Sequence, residues 1–351
     1  MEKIIRQSVG IDVSLKTLDV TFGKMSESMD IHLLFQCSFK NTEAGFMKLL
    51  QFMNDKLDSS IAIRFVMEAT GVYHEKLAYF LHSKGHSLSI ILPNKMSSFM
   101  RTLTIKSVND KTCSEAIARF GLERKLDDWN PPKESYKKLR QLTRERDQLV
   151  SERSAIKNQL HAEEKEAYPL LRTIKRLKQR INFLNKQESE IKADIEQVVL
   201  KNPDINQEIE YMTSVPGIGR LTAVILLAET NGFELIRNKK QLASYAGLDV
   251  KEKQSGTSIR GLSKISKKGN KHIRKAMYLP AIAAVRSNEK YKEIYTRIVQ
   301  KQGIKKKALI AIERRLLELC FILFRNKTFF DPTFKEKNSA QPELCAIQAN
   351  L

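Results

Sequence analysis

The chain has 351 residues, 42% hydrophobic and 29% charged, with 61 Lys and Arg against 40 Asp and Glu and a formal net charge of +21. That length allows two domains with cores of their own, the composition excludes a disordered or fibrous chain, and the basic excess points to a polyanionic partner, either nucleic acid or an acidic membrane surface. Cys37, Cys113, Cys320 and Cys345 are scattered without a CxxC pair. This argues against a zinc module or a disulfide framework and suits a reducing cytosol. The start MEKIIRQSVGIDVS lacks the apolar core of a signal peptide, and AMYLPAIAAV (276–285) and LLELCFILF (316–324) are too short to span a bilayer. A cytoplasmic protein that binds nucleic acid and no membrane is expected.

In chain order, SVGIDVS (8–14), TLDVTFG (17–23) and IHLLFQCSF (31–39) are short, β-rich and closely spaced, which predicts an antiparallel meander. Next come a helix over 42–57, an apolar strand IAIRFVMEA over 61–69, a helix over 73–84, a strand SLSIILP over 87–93, and helices near 94–103 and 109–124. This is the element order of an α/β RNase H-like domain, placed at 1–130. The proline pair of WNPPKES (129–135) marks its end, and Trp129 is expected to pack at that edge.

From 131 to 205 the chain is rich in Lys, Arg, Glu and Leu. Ile174, Leu177, Ile181, Leu184, Ile191, Ile195 and Val198 hold a 3–4 spacing, with Glu188 filling one seam place, and Leu139, Leu142, Leu149, Ile156 and Leu160 form a looser stripe. This predicts a coiled coil or helical hairpin, interrupted near Pro169 and packed on itself or on another subunit. A mainly α region follows at 206–330. It contains VPGIG (215–219), YAGLD (245–249) and the basic segment KEKQSGTSIRGLSKISKKGNKHIRK (251–275). VPGIG is either a phosphate-holding turn at a helix start or a purely structural one. The stretch 331–351 has little periodicity and is expected to be a loose tail.

Three carboxylates of the first domain stand out. Asp12 lies between Ile11 and Val13 in an apolar strand, where a charge is costly to bury unless something pairs with it. Glu68 ends the run FVME, and Asp110 opens a later helix. Taken singly, such acids are turn residues or N-caps. Taken together, strand-Asp, strand-Glu and helix-Asp in one domain point to a hard-oxygen site for Mg²⁺ (or Mn²⁺), where two ions about 3.5–4 Å apart serve phosphodiester chemistry.

At these motifs the chain resembles the DEDD transposases of bacterial insertion sequences, which include the Piv-type invertases and are also called bridge-RNA-guided recombinases. VGIDVSLKTLDV, MEATGVYHEKLAYFL and LPNKMSSFMR…VNDKTCSEAIARFG resemble the three motifs of the acidic domain. SVPGIGRLTAVILLAET, QLASYAGLD and QSGTSIRGLSKISKKGNKHIRKAMYLPA resemble the C-terminal transposase domain. The resemblance implies a RuvC-like domain with a four-acid metal site, joined by a coiled coil to a second catalytic domain whose Ser-Gly serine attacks DNA. That serine maps onto Ser255. Around it Lys253, Arg260, Lys264, Lys267, Lys268, Lys271 and Arg274 offer phosphate contacts, while His272 is read as a bystander.

The third motif departs from the family pattern Asp-x-x-Asp, because Cys113 occupies the fourth acid position. A thiol suits Mg²⁺ poorly. Glu115 replaces the missing acid, or three acids suffice, or this copy is impaired; Glu115 lies about 140° round a helix from Asp110. The reading is a transposase or site-specific DNA recombinase working through a serine–DNA covalent intermediate. The resemblance further implies a structured noncoding guide RNA, and a dimer or tetramer through the coiled coil is expected, nucleoid-associated when active. The alternatives are a RuvC-like metal-dependent DNA junction nuclease and a nucleic-acid-binding structural protein.

Overall fold

The computed structural model describes residues 3–58, 60–69, 71–103, 107, 109–234, 236–251, 254–255, 259–260 and 264–332, with the backbone alone at 254–255, 259–260 and 302. The chain divides into two compact units, Met1–Pro131 and Pro132–Leu351. Among the described residues no helix is long and apolar enough to cross a membrane.

The first unit runs β1 (Ile4–Val13), β2 (Thr17–Ser26), β3 (Ile31–Lys40), α1 (Glu43–Lys56), β4 (Ile63–Glu68), α2 (Glu75–Ser83), β5 (Ser87–Ile91), α3 (Pro93–Met100) and α4 (Asp110–Glu123). This is the order expected from the sequence. The strands form one mixed sheet in the order β3-β2-β1-β4-β5. The β1–β2 and β2–β3 pairs are antiparallel, and β1–β4 and β4–β5 are parallel.

Strand alternation sends residues to two different layers. Val9, Ile11 and Val13 of β1 join Leu18, Val20 and Phe22 of β2 in a core with Phe46, Leu49, Leu77 and Leu81 of α1 and α2. Trp129 packs at the edge of this core, its ring 5.4 Å from that of Tyr79. The intervening residues Ser8, Gly10 and Asp12 therefore belong to the opposite face, which α4 covers. There Val66, Ile91, Met96, Phe99, Ala116 and Ile117 make a smaller core.

α4 lies unusually close to that face. A methyl group at Gly10 would run into the backbone of Ser114 and Ala118, and one at Gly121 into the side chains of Ser8 and Val66. Buried Ser114 and Ala118 leave room for this approach, and Thr21 Oγ1 and Ser114 Oγ share a hydrogen bond of 2.9 Å across the interface.

The second unit begins with two 30-residue helices, α5 (Glu134–Glu163) and α6 (Leu171–Leu200). Pro169 lies in the loop between them. They pack antiparallel, with Ile156 against Leu177, Ile181 and Leu184. Glu188 occupies its seam position buried, held by Arg146 (2.9 Å), Lys192 (3.1 Å) and Arg153. Burial opposes its charge, but the bonds from Lys192 and Arg153 and the charge of Arg146 outweigh it and hold the carboxyl down at about 2.

There follow α7 (Pro203–Thr213), α8 (Arg220–Thr230), α9 (Lys239–Ala246), four two-residue strands β6 (Val250–Lys251), β7 (Gln254–Ser255), β8 (Ile259–Arg260) and β9 (Lys264–Ile265), then α10 (Lys271–Ser287), α11 (Glu289–Gln302) and α12 (Lys305–Asn326). The root of the helical pair is built into the core of these helices. Tyr136, Leu139, Ile195 and Val198 cluster with Ile209, Val224, Met277 and Leu316. The segments expected at 131–205 and 206–330 thus share one hydrophobic core. Of the tail expected at 331–351, residues from 333 onward lie outside the described residues.

The glycine contacts give the first test. Gly10→Ala places a methyl group against backbone that has nowhere to move, so it should destabilise the first unit by about 1–3 kcal/mol or more. Gly121→Ala meets the buried side chains of Ser8 and Val66, which can turn about χ1 where backbone cannot, and should cost less. Calorimetric unfolding of both variants checks the order.

Candidate active site

The acids of the first unit meet at one end of the sheet because of register. Ile11 pairs with Met67 in the parallel β1–β4 ladder, so Asp12 and Glu68, each one residue further on, emerge side by side. On the other flank Asp12 pairs directly with Asp19 of the antiparallel β2. Asp12 and Asp19 are both half-buried, and like charges directly opposite in a ladder repel.

α4 delivers the remaining groups. Its N-cap is Asn109, whose Oδ1 accepts from Thr112 N at 3.0 Å, while Thr112 Oγ1 accepts from Asn109 N at 2.9 Å. This capping box relieves Asp110 of the capping role that a sequence reading would assign to it. Cys113, three residues on, lies on nearly the same helical face as Asp110.

The electrostatics show that these groups face one another. Burial pushes the Asp12 carboxyl up from its ordinary 3.8 to about 6, aided by the negative charges of Asp110, Glu68 and Asp19. Burial also raises Glu68. The Cys113 thiol is pushed up to about 11 by burial and then by Asp12, Glu68 and Asp110, so it is neutral at physiological pH. Glu115 is half-buried and lies two residues beyond Cys113, about 200° round the helix from it. The charges acting on Asp12 and Cys113 are those just named, and Glu115 is not one of them.

The donor set suits a hard divalent cation, since carboxylate oxygens are its preferred ligands and its charge would relieve their repulsion. The spacing is nevertheless open. Among the described residues no three His, Cys, Asp or Glu side chains close on a common metal position. Asp19 escaped the sequence reading. Its signal was alternation: with an Asp-to-Asp hairpin register, residues 12 and 19 share a face.

In the second unit the backbone of Ser255 pairs with Ile259, and Gln254 with Arg260. A second rung, Val250 with Ile265 and Lys251 with Lys264, continues nearly the same register. Ser255 thus lies in the outer of two short antiparallel pairs, together called the ribbon below. Lys253 and Gly256 lie outside the described residues, and the side chains of Ser255 and Arg260 are not described. Lys264, Lys267, Lys268 and Lys271 are exposed. Arg274 is turned inward, with Nη1 donating to Ala246 O at 2.7 Å and Gly269 O at 3.1 Å, so it latches the loop around Gly247.

The helix after the ribbon is anchored by a polar network that the sequence did not reveal. Buried Glu229 accepts two bonds from Arg144 (2.8 and 2.9 Å) and one from Asn270 (2.6 Å), the N-cap of α10. One turn along α5, Asp147 receives Lys275 Nζ at 3.0 Å and pairs with His272 Nδ1 at 3.1 Å. Burial opposes both charges, yet these bonds hold the carboxyls of Glu229 and Asp147 below their ordinary values. His272, read from sequence as a bystander, is an oriented residue. In VPGIG, Gly217 has φ +91° and an added Cβ there would lie 3.0 Å from Pro280 O, so the turn packs against α10.

Because the folded chain holds the Asp12 proton more tightly than the unfolded chain does, that proton favours the fold fully below about pH 4, and its help is lost as pH rises through about 6. Asp12→Asn should therefore melt several degrees above the wild type at pH 8 without metal, and the gap should shrink at pH 5. Thermal melts at the two pH values check both statements.

Two family models match the chain. A DEDD transposase model of the IS110 type covers residues 9–169, and a model described as "Transposase IS116/IS110/IS902 family" covers 209–296. A pilin gene-inverting protein of Moraxella bovis is 29% identical over 330 residues, which is 93% of this chain and 98% of that protein. A transposase for insertion sequence element IS1328 of Yersinia enterocolitica is 26% identical over 57% of this chain and 65% of its own. Among solved structures, T. thermophilus RuvC in complex with a Holliday junction substrate aligns at 10% identity and a TM-score of 0.25, over 32% of this chain and 90% of RuvC. With the acidic motifs inside one model and the VPGIG-to-α10 region inside the other, the chain belongs to the IS110 family of transposases and DNA invertases, enzymes that cut and rejoin DNA.

Proposed function

We propose that this transposase uses Asp12, Glu68 and Asp110, with Asp19 alongside, to hold Mg²⁺ or Mn²⁺ at DNA, and Ser255 to carry a covalent link to the cut strand. The observation that supports the first half is the convergence of those carboxylates on Asp12, whose charge burial and repulsion disfavour. A divalent ion bound there would supply charge neutralisation and Lewis acidity at a phosphate. The chain's own part is to orient the oxygens: register sets Asp12 beside Glu68 and Asp19, and the capped start of α4 presents Asp110. Cys113 stays a neutral thiol and leaves the ligand set to the acids. Glu115 faces away from Cys113, so a three-acid site supported by Asp19 is favoured over Glu115 as the replacement.

The serine step rests on the family resemblance of QSG at 254–256. Ser255 Oγ bonds to phosphorus, the bond from phosphorus to the leaving sugar oxygen breaks, and the serine proton is transferred away while the leaving oxygen gains one. Attack by a sugar hydroxyl of another strand reverses the exchange and restores the serine, so the number of phosphodiester bonds is conserved. Lys264, Lys267, Lys268 and Lys271 supply positive charge near the ribbon, as do Lys253 and Arg260 in sequence. A noncoding guide RNA follows from the same resemblance. For the expected homo-oligomer, the hairpin loop offers Tyr168 and Leu171, 91% and 80% exposed, as an apolar contact.

Ser255→Ala should abolish both the denaturant-resistant protein–DNA adduct and strand exchange. Full strand exchange by this variant would sink the serine mechanism, and cleavage without exchange would favour a metal-dependent junction nuclease. Asp12→Ala should eliminate all rearrangement; unchanged rearrangement would leave the acids structural. For the fourth position, Glu115→Ala should leave Mg²⁺ dependence unaltered, whereas Asp19→Asn should raise the Mg²⁺ concentration needed for half-maximal rearrangement. The reverse pattern would restore Glu115 as a ligand.

A further inference from the structure

A cavity of about 860 Å³ opens beside the base of the Ser255 ribbon, between β6, β9 and the loop after them on one side and α12 on the other. Its α12 wall is two adjacent rows at helical i, i+4 spacing. Lys306, Ile310 and Arg314 form one, and Lys307, Ala311 and Arg315 the other. Each row reads cation, apolar, cation, and the small Ala311 leaves space at the middle. Lys264 and Lys267 face these rows from the ribbon side, while Leu248 and Ile298 complete an apolar floor. The acid on the lining, Glu318, is already bonded by Arg314 Nε at 2.8 Å.

The five cationic side chains that remain beside the Arg314–Glu318 pair, around an apolar floor, suit an anion that also carries an apolar body. The volume suits a ligand of nucleotide size. A base in a paired duplex is stacked and cannot enter such a hollow, whereas an unpaired nucleotide can lay its base on the floor and its flanking phosphates on the cations. We propose that this cavity receives an unstacked nucleotide of a single strand next to the ribbon that bears Ser255. The inference rests on the reading of the second unit as a nucleic-acid-handling unit, and not on the serine step.

The test uses the full-length protein and single-stranded oligonucleotides containing 2-aminopurine, one of DNA and one of RNA with the same sequence. Binding should raise the 2-aminopurine fluorescence severalfold as the base leaves its neighbours. A rise with DNA alone, RNA alone or both supports the cavity and names the strand it takes. Ala311→Phe fills the hollow without changing charge. It should remove the rise and weaken single-strand binding about tenfold, the low end of a lost base contact, while duplex binding holds. Lys307→Ala should keep the rise but reduce the salt slope of binding by about 0.7. Ile304→Asp, at an exposed position on the rim, repeats the first test should Ala311→Phe fail to fold, and it too should lose the rise. Oligonucleotides that bind with unchanged fluorescence would overturn the cavity and leave the transposase reading standing. So would a full rise in folded Ala311→Phe or Ile304→Asp. Failure of both strands to bind would overturn the cavity together with the reading of the second unit as a handler of single strands.

Discussion

The acidic site depends on the near-contact of α4 with β1. With no side chain at Gly10, the helix backbone at Ser114 and Ala118 comes up against the strand. Gly121 repeats the arrangement near the far end of the helix, against Ser8 and Val66. Two such contacts, about one to two helical turns apart, fix both the height and the direction of α4 over the sheet. The position of Asp110 at its first turn is then a consequence of geometry set by residues that carry no chemistry. A helix held a few ångströms further away by ordinary side chains would weaken the repulsion between Asp12 and Asp110.

What the packing brings together, electrostatics resists. Asp12 is half-buried with three carboxylates acting on it, and the fold keeps its proton to about pH 6. Charge strain of this kind is tolerated where the surrounding structure is rigid enough to enforce it, and it favours whatever cation neutralises it. The second unit handles buried charge in the opposite way. Glu229, Asp147 and Glu188 each receive several bonds from basic or amide groups, and their carboxyls are held below the ordinary range. Those pairs hold α5 against α8 and α10 and against α6. Paired charges of this sort contribute a specific docking geometry more than net stability.

Much of this was legible because periodicity reports directly on faces. The meander, the parallel strands and the seam of α6 follow from spacings of two and of three to four, and Glu188 was visible as a break in the seam. Asp12, Glu68 and Asp110 could be read as a set because Asp12 interrupts one apolar strand, Glu68 ends another and Asp110 opens a helix in the same domain. Asp19 could not, since its place opposite Asp12 depends on the turn that sets the β1–β2 register. Asp147 and His272 lie 125 residues apart, and the walls of the cavity are separated by some forty positions. Contacts of that range carry no local signal. Asp110 shows the opposite difficulty: its sequence position suggests a cap, and the cap is its neighbour Asn109.

Cys113 is where these arguments meet. A fourth carboxylate at that place would add another negative charge beside Asp12, Glu68 and Asp110, which together with burial, the larger cause, already push the thiol up to about 11. A neutral group there lowers the repulsion in the metal-free sheet and gives up one hard ligand. Asp19 stands on the other side of Asp12, in register and on the same face, so a fourth carboxylate is still present in the field. The difference lies in rigidity. An acid on α4 moves with the helix start, whereas Asp19 is fixed by the ladder between two long strands. A site that draws its fourth oxygen from β2 has its acids set by the sheet at three of four positions, and only Asp110 depends on the helix.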